Sequence, residues 1–181
     1  MTLLEFMSKM KGGGAGQQTT APIDMLWSWL GSVIGIAACG LLSTLYFESR
    51  DATLLIGSFG ASAVLIYAAI KSPLAQPRNL LGGHVISAVV GVAAYQTMGH
   101  VVWIAAALAV SLAIVAMLIT KTLHPPGGAT ALIAVIGGPD IHQLGYLYAL
   151  VPSGAGALVL LLIALVFNNL ASHRKYPEYW L

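Results

Sequence analysis

The sequence predicts an all-α membrane protein of six membrane elements, arranged as two inverted three-element repeats whose second and fifth elements are broken or short. Three observations lead there. Only 8% of the 181 residues are charged, while 58% are hydrophobic; a water-facing domain carries about 25% charged residues. Charge-free runs occupy 25–47, 52–70, 79–120, 122–139 and 141–173, several of them longer than the roughly 20 apolar residues that take a helix across a bilayer. A short motif also recurs, Gly60-Ala61-Ser62-Ala63-Val64-Leu65 matching Gly128-Ala129-Thr130-Ala131-Leu132-Ile133 at an offset of 68 positions.

The first element, 25–47, opens at the interfacial aromatics Trp27 and Trp29 and stops before Glu48-Ser49-Arg50-Asp51. The second, 52–70, ends at Lys71. The third runs from about 82 to 99 and the fourth from 101 to 120, with Gly99-His100 as the whole turn between them. The fifth, 125–138, opens with Pro125-Pro126-Gly127-Gly128. At about 1.5 Å per residue it covers only ~20 Å of a hydrocarbon core of ~30 Å, so extended backbone is expected at Leu123-His124-Pro125 and at Gly137-Gly138-Pro139. Such backbone is tolerated at membrane depth only inside protein or beside a hydrated cavity. The sixth element, 144–168, closes at Asn168-Asn169 and a basic tail, His173-Arg174-Lys175, after which Tyr176, Tyr179 and Trp180 read as interfacial anchors.

Basic residues orient the chain. If all six elements cross, Lys9, Lys11, Lys71, Arg78, Lys121, Arg174 and Lys175 share one side and Arg50 stands alone on the other. If the fifth does not cross, the division becomes five against three. Six crossings therefore put both termini in the cytoplasm, with a flexible tail over 1–24, one transmembrane domain over 25–171 (repeat halves about 25–99 and 101–168) and a C-terminal tail over 172–181. A Gly/Gln/Thr stretch follows Lys9 and Lys11 where a cleaved signal would place its apolar region.

His124-Pro125-Pro126-Gly127-Gly128-Ala129-Thr130 is the most unusual string. Proline suits the first turn of a helix, glycines leave backbone N–H groups uncovered, and a helix N-terminus favours anions. Gly127, Gly128 and Thr130, with His124, are therefore candidates for an anion site, and Ser58, Gly60 and Ser62 are their counterparts in the other half. Broken helices at matching positions of inverted repeats are where transporters hold substrate. Arg78 and Lys121 would guide the anion electrostatically. The same small residues also serve helix packing alone. The segment Ser72-Pro73-Leu74-Ala75-Gln76-Pro77-Arg78-Asn79 reads as a rigid loop, because its prolines interrupt a helix. His84 and the Asn168-Asn169 pair fall near membrane boundaries as weaker candidates, and His100, His142 and His173 are given no role.

Other classes are excluded or set aside. A net charge of +2 with scattered basic residues gives no nucleic-acid footprint. Cys39 is the only cysteine, and the five histidines show no ligand spacing, so neither metal nor cofactor is expected. A Ser62–His124 dyad would be the minimum of an intramembrane hydrolase, but the expectation is a protein that is not an enzyme.

His124-Pro125-Pro126 continued by Gly128-Ala129-Thr130-Ala131-Leu132 resembles the signature of the HPP family of integral membrane proteins. Gly57-Ser58-Phe59-Gly60-Ala61-Ser62-Ala63, the Ser72–Asn79 segment, Gly82-Gly83-His84, Asn168-Asn169-Leu170 and Tyr176-Pro177-Glu178-Tyr179-Trp180 extend the likeness over roughly 25–181. The resemblance implies a small membrane protein of four or more spans. Plant and cyanobacterial members are associated with nitrite transport across plastid or cell membranes, and some bacterial relatives carry an added CBS domain. The N-terminal tail lacks the pattern of a plastid transit peptide. The expectation is a multi-pass protein of a bacterial inner membrane that moves a small anion such as nitrite, with the lipid bilayer and a second copy of itself as its other partners. The alternative is a structural or sensory membrane subunit.

Overall fold

A computed structural model of the chain describes Met7, Lys9, Met10 and residues 19–46 and 55–181. Most of the expected N-terminal linker, and Arg50, lie outside the described residues. Those residues are all helix, turn and loop. We number the helices α1 (Pro22–Tyr46), α2 (Ser58–Ala63, continued by a π turn over Val64–Ala68), α3 (Pro77–Met98), α4 (Val102–Ile119), α5 (Pro125–Ile136), α6 (Gly138–Leu144) and α7 (Ala155–Leu170, preceded by a kinked π segment over Ala149–Gly154).

Among the described residues, four helical stretches are long and apolar enough to span a bilayer: Pro22–Leu45, Pro77–Met98, Val102–Ile119 and Ala149–Leu170. Ser58–Ala68 and Pro125–Ile136 are shorter apolar helices. The order long, short, long thus occurs twice. The surface is apolar: Leu112, Leu118, Leu162 and Val166 are each more than half exposed. The interior is built from small residues. Ala105, Ala109 and Ala113, one turn apart on α4, are fully buried, and a Cβ on Gly91 of α3 would lie 2.8 Å from Ala131 Cα of α5. Close backbone approach of this kind is what holds helices together where lipid tails remove the hydrophobic drive.

Gly31 and Gly35 of α1 make room for the ring of Tyr67; a Cβ on Gly31 would come within 2.6 Å of Tyr67 Cδ1. Tyr67 lies at the C-terminal end of the short second helix, where backbone carbonyls lose their helical donors. Side chains from three elements replace them. Ser28 Oγ and Arg174 Nη1 donate to Tyr67 O at 2.8 and 3.0 Å, and Asn168 Nδ2 donates to Ile66 O at 2.9 Å. A helix ending inside the bundle therefore leaves these carbonyls paired.

Bonds at one end of the bundle gather Asp24, the 70–79 segment, Thr120 and the C-terminal tail. Arg78 Nη2 donates to Thr120 O at 2.9 Å, Tyr176 Oη to Ala75 O at 2.6 Å, and Arg174 Nε to Asp24 Oδ1 at 3.0 Å. The chain leaves this end at Thr120 and reaches the far end of α3, where His142 stacks on Tyr95 at 3.7 Å between ring centroids. It returns through α7. The stretch containing the short fifth element thus runs from one end of the bundle to the other, as extended chain plus two short helices.

Several expected boundaries move. The third element starts at Pro77, not near 82, because Pro77 occupies the first turn of α3 where no N–H is needed; the loop ends at Gln76, and Arg78 and Asn79 are helical. Gly137-Gly138-Pro139 is a joint between helices rather than an extended end. Gly138, at φ +80°, makes the turn and opens α6, with Pro139 in its first turn. Tyr176 is not an interfacial anchor but 2% exposed, because the tail folds back over the 73–75 turn. Asn169 holds that return from both sides, receiving the Tyr176 N–H and donating to its carbonyl. His173 faces Asp24 Oδ1 at 3.3 Å.

Candidate functional site

The loop after α4 determines where His124 goes. Lys121 takes a left-handed conformation at φ +57°, and the chain then runs extended to His124, the residue capping α5 at φ −140° and ψ 105°. This extended segment lies on the Gly82-Gly83 step of α3. A Cβ on Gly82 would sit 2.9 Å from Thr122 Cβ, and one on Gly83 would overlap Cβ of His124. Two glycines on α3 thereby let the His124 backbone approach the helix that carries His84. Gly127 does the same one turn further on, where a Cβ would meet Ser87 Oγ at 2.7 Å and Gly83 O at 2.8 Å.

The result is a fully buried polar centre of Ser58, Ser62, His84, His124 and Thr130. Ser62 Oγ lies 2.8 Å from His84 Nε2 and 2.9 Å from His124 Nε2. His84 Nδ1 is 2.7 Å from Thr130 Oγ1, which is 2.9 Å from Ser58 Oγ and 3.3 Å from Pro126 O. His124 Nδ1 is 2.8 Å from Leu74 O, and Tyr148 Oη donates to Thr130 O at 3.1 Å. The imidazole centroids are 5.2 Å apart, and Phe59 closes one side of His84 at 5.1 Å. Ser87 Oγ, buried beside this centre, has no hydrogen-bond partner among the described residues. A buried polar atom left unpaired in a native fold calls for an explanation.

Of the residues expected from sequence, Ser58, Ser62, His124 and Thr130 come together here. Ser58 and Ser62 are one turn apart on one face of α2. Gly60, midway between them, is turned to the opposite face and is exposed, and a Cβ added there would meet nothing within 4 Å. Gly127 packs α5 against α3, and its N–H is taken by His124 O at 2.8 Å. Gly128 is half-buried and borders an apolar groove with Val110, Met117 and Leu132. Arg78 is bonded to the Thr120 carbonyl and Lys121 is exposed; both stand at the bundle end, outside the hydrogen-bonded centre.

His84 is the participant that sequence reasoning undervalued. With the third element starting near 82 it falls at a boundary; with α3 starting at Pro77 it lies two turns inside. The signal was present in Gly82-Gly83-His84, a step that lets another backbone approach a polar ring.

A bundle with four long apolar helices, two short ones meeting at a buried His/Ser/Thr centre, and an apolar exterior defines a multi-pass helical membrane protein. The family model for the HPP transmembrane region matches residues 17–177, and the chain belongs to the HPP family. Two curated relatives, both described only as transmembrane proteins of Dictyostelium discoideum, are similar to it. One is 48% identical over 181 residues, covering 98% of this chain and 58% of the relative; the other is 47% identical over 188 residues, covering 99% and 65%. The chain thus spans about three fifths of the length of these curated relatives. No solved structure matches.

Proposed function

We propose that this chain forms the passage of a transporter or channel for a small inorganic anion, with nitrite as the first candidate because the family resemblance points to it. The observation that carries this reading is the meeting of two short helices at Ser62, His84, His124 and Thr130, all fully buried. Ionisable side chains inside a membrane are costly and mark pathways for substrates or protons. Short helices near the midplane, one from each half of an inverted repeat, are the usual frame for such a site. The offset motif pairs Ser62 with Thr130, and those two hydroxyls flank His84. Ser87 Oγ adds beside them a hydroxyl with no partner among the described residues.

The basic residues favour an orientation with both termini cytoplasmic, and a bacterial inner membrane is the placement proposed with it. Lys71, Arg78, Lys121, Arg174 and Lys175 all belong to segments at the Asp24 end. The relatives come from a eukaryote, so the particular membrane is part of the proposal, as is assembly into a homo-oligomer.

The test is flux of nitrite into liposomes containing the purified full chain. Uptake above empty liposomes that is lost in His84→Ala and His124→Ala, but kept in the outward-facing Leu162→Ala, supports the reading. Folded protein without flux of any small anion sinks it and returns the structural or sensory alternative.

One observation favours a second reading. Ser62 Oγ stands 2.9 Å from His124 Nε2, and the Leu74 carbonyl holds Nδ1 of the same ring. That is the base-and-orienter geometry of a serine nucleophile. Covalent labelling of Ser62 by a fluorophosphonate would favour it over the carrier, which predicts no labelling.

A further inference from the structure

The contacts of the four ring nitrogens have only one arrangement in which both imidazoles are neutral and every one of them is made. Leu74 O can only accept, so His124 Nδ1 carries a proton and its Nε2 is bare. Ser62 must then donate to His124 Nε2. Having given its one proton, Ser62 accepts from His84 Nε2–H, which leaves His84 Nδ1 bare and in need of the Thr130 hydroxyl. With its one proton given to His84, the Thr130 hydroxyl is withheld from Ser58 Oγ and Pro126 O, the acceptors standing at 2.9 and 3.3 Å. The direction of each bond is assigned from donor and acceptor chemistry. Every ring N–H is committed, so a neutral centre offers an entering anion no imidazole donor.

One added proton makes the centre cationic. When it binds His84 Nδ1, the Thr130 hydroxyl turns to an acceptor already in place, Ser58 Oγ at 2.9 Å or Pro126 O at 3.3 Å. His84 can then pass its Nε2 proton to Ser62 as the Ser62 O–H bond breaks toward His124 Nε2. One N–H bond forms at each histidine, one breaks at His84, and Ser62 ends as a hydroxyl. The positive charge has moved from His84 to His124, across 5.2 Å between ring centroids, toward the end that bears Asp24.

We propose that His84, Ser62 and His124 form a proton-carrying triplet that loads one proton per transported anion, making the protein an electroneutral anion–proton symporter. This rests on the anion reading above. The surroundings make a lone proton demanding. α2 contributes only hydroxyls and Phe59, α5 contributes Thr130, and the segment before α7 contributes Tyr148, whose phenol is committed to the Thr130 carbonyl. On α3, Arg78 is turned to Thr120 O, and Lys121 before α5 is exposed. Among the described residues no carboxylate hydrogen-bonds or pairs with either imidazole. A charged pair at this place is therefore uncompensated until an anion joins it, which ties the two loadings together.

Two measurements on the full chain decide the proposal. In proteoliposomes with a trapped pH dye, nitrite uptake corrected for empty liposomes should deliver one proton per nitrite and be unchanged when valinomycin and potassium set the membrane potential. Uptake that follows the potential without acidification overturns the coupling while leaving the anion reading intact. Absence of any protein-dependent uptake overturns both. In ¹⁵N-histidine spectra of the wild type at neutral pH, His124 should be protonated on Nδ1 only and His84 on Nε2 only. Other tautomers, or two histidines that titrate independently of one another, would contradict the shared proton without reliance on any variant.

Discussion

His84 Nδ1 and Thr130 Oγ1 are 2.7 Å apart, and this contact joins α3 to α5 where both are fully buried. Thr130→Val keeps the shape of the side chain and removes the hydroxyl, leaving a ring nitrogen and Ser58 without that partner. A buried group stripped of its partner costs about 1–3 kcal/mol. Thermal unfolding in detergent should show that loss for Thr130→Val and recovery of most of it in Thr130→Ser.

Two glycines that look alike in sequence should behave in opposite ways. Gly83→Ala places a methyl on Cβ of His124 and against Thr122 O; overpacking of this kind costs about 1–3 kcal/mol. Gly60→Ala meets nothing within 4 Å and should stabilise the helix by about 0.5–1 kcal/mol. Equal unfolding midpoints for the two variants would contradict the packing described.

That contrast shows how far the sequence could be read. The scarcity of charge and the lengths of the apolar runs were enough for a helical membrane protein, and the offset motif selected Ser62 and Thr130. The pairing across helices was not legible. Gly60 shares the motif with Ser62, but a helix turns about 100° per residue, so a residue two positions away faces elsewhere. Pro77 read as a loop residue although proline also starts helices, and that single choice moved His84 to the boundary. The roles of Arg174 and Tyr176 depend on a tail that folds back on the bundle, and local sequence carries no signal for such a return.

Arg174 should be a principal stabiliser of the Asp24 end. It donates to Asp24 Oδ1 and O, Tyr67 O, Asn168 Oδ1 and the Ser28 hydroxyl. Asp24 is partly exposed, so solvent screens the ionic part; the bonds to buried carbonyls remain. Arg174→Ala should cost about 1.5–3 kcal/mol, the range for hydrogen bonds made by a charged group. Arg174→Lys should recover little, because a single ammonium cannot reach the acceptors that the planar fork reaches. Full recovery by lysine in an unfolding assay would show that charge alone matters.

The tail should detach in alkali. Burial pushes the Tyr176 phenol up from its ordinary value of 10.0. The docked tail thus holds its proton where the free tail releases it. Its stabilisation is complete below pH 10 and falls as pH rises above that value. Protease cleavage within the tail should begin as pH passes about 10 in the wild type. Tyr176→Phe, which has no proton to lose, should show no such onset; the same onset in both proteins would refute the assignment.

Passage of a small anion through the buried histidine centre is tested most directly by the initial rate of nitrite uptake into proteoliposomes. The proteins to compare are the wild type, His84→Ala and His124→Ala, each shown to be folded by its unfolding transition. Protein-dependent uptake is predicted for the wild type, with a fall to the level of empty liposomes in both variants. Undiminished uptake by folded His84→Ala and His124→Ala protein would contradict passage through this centre.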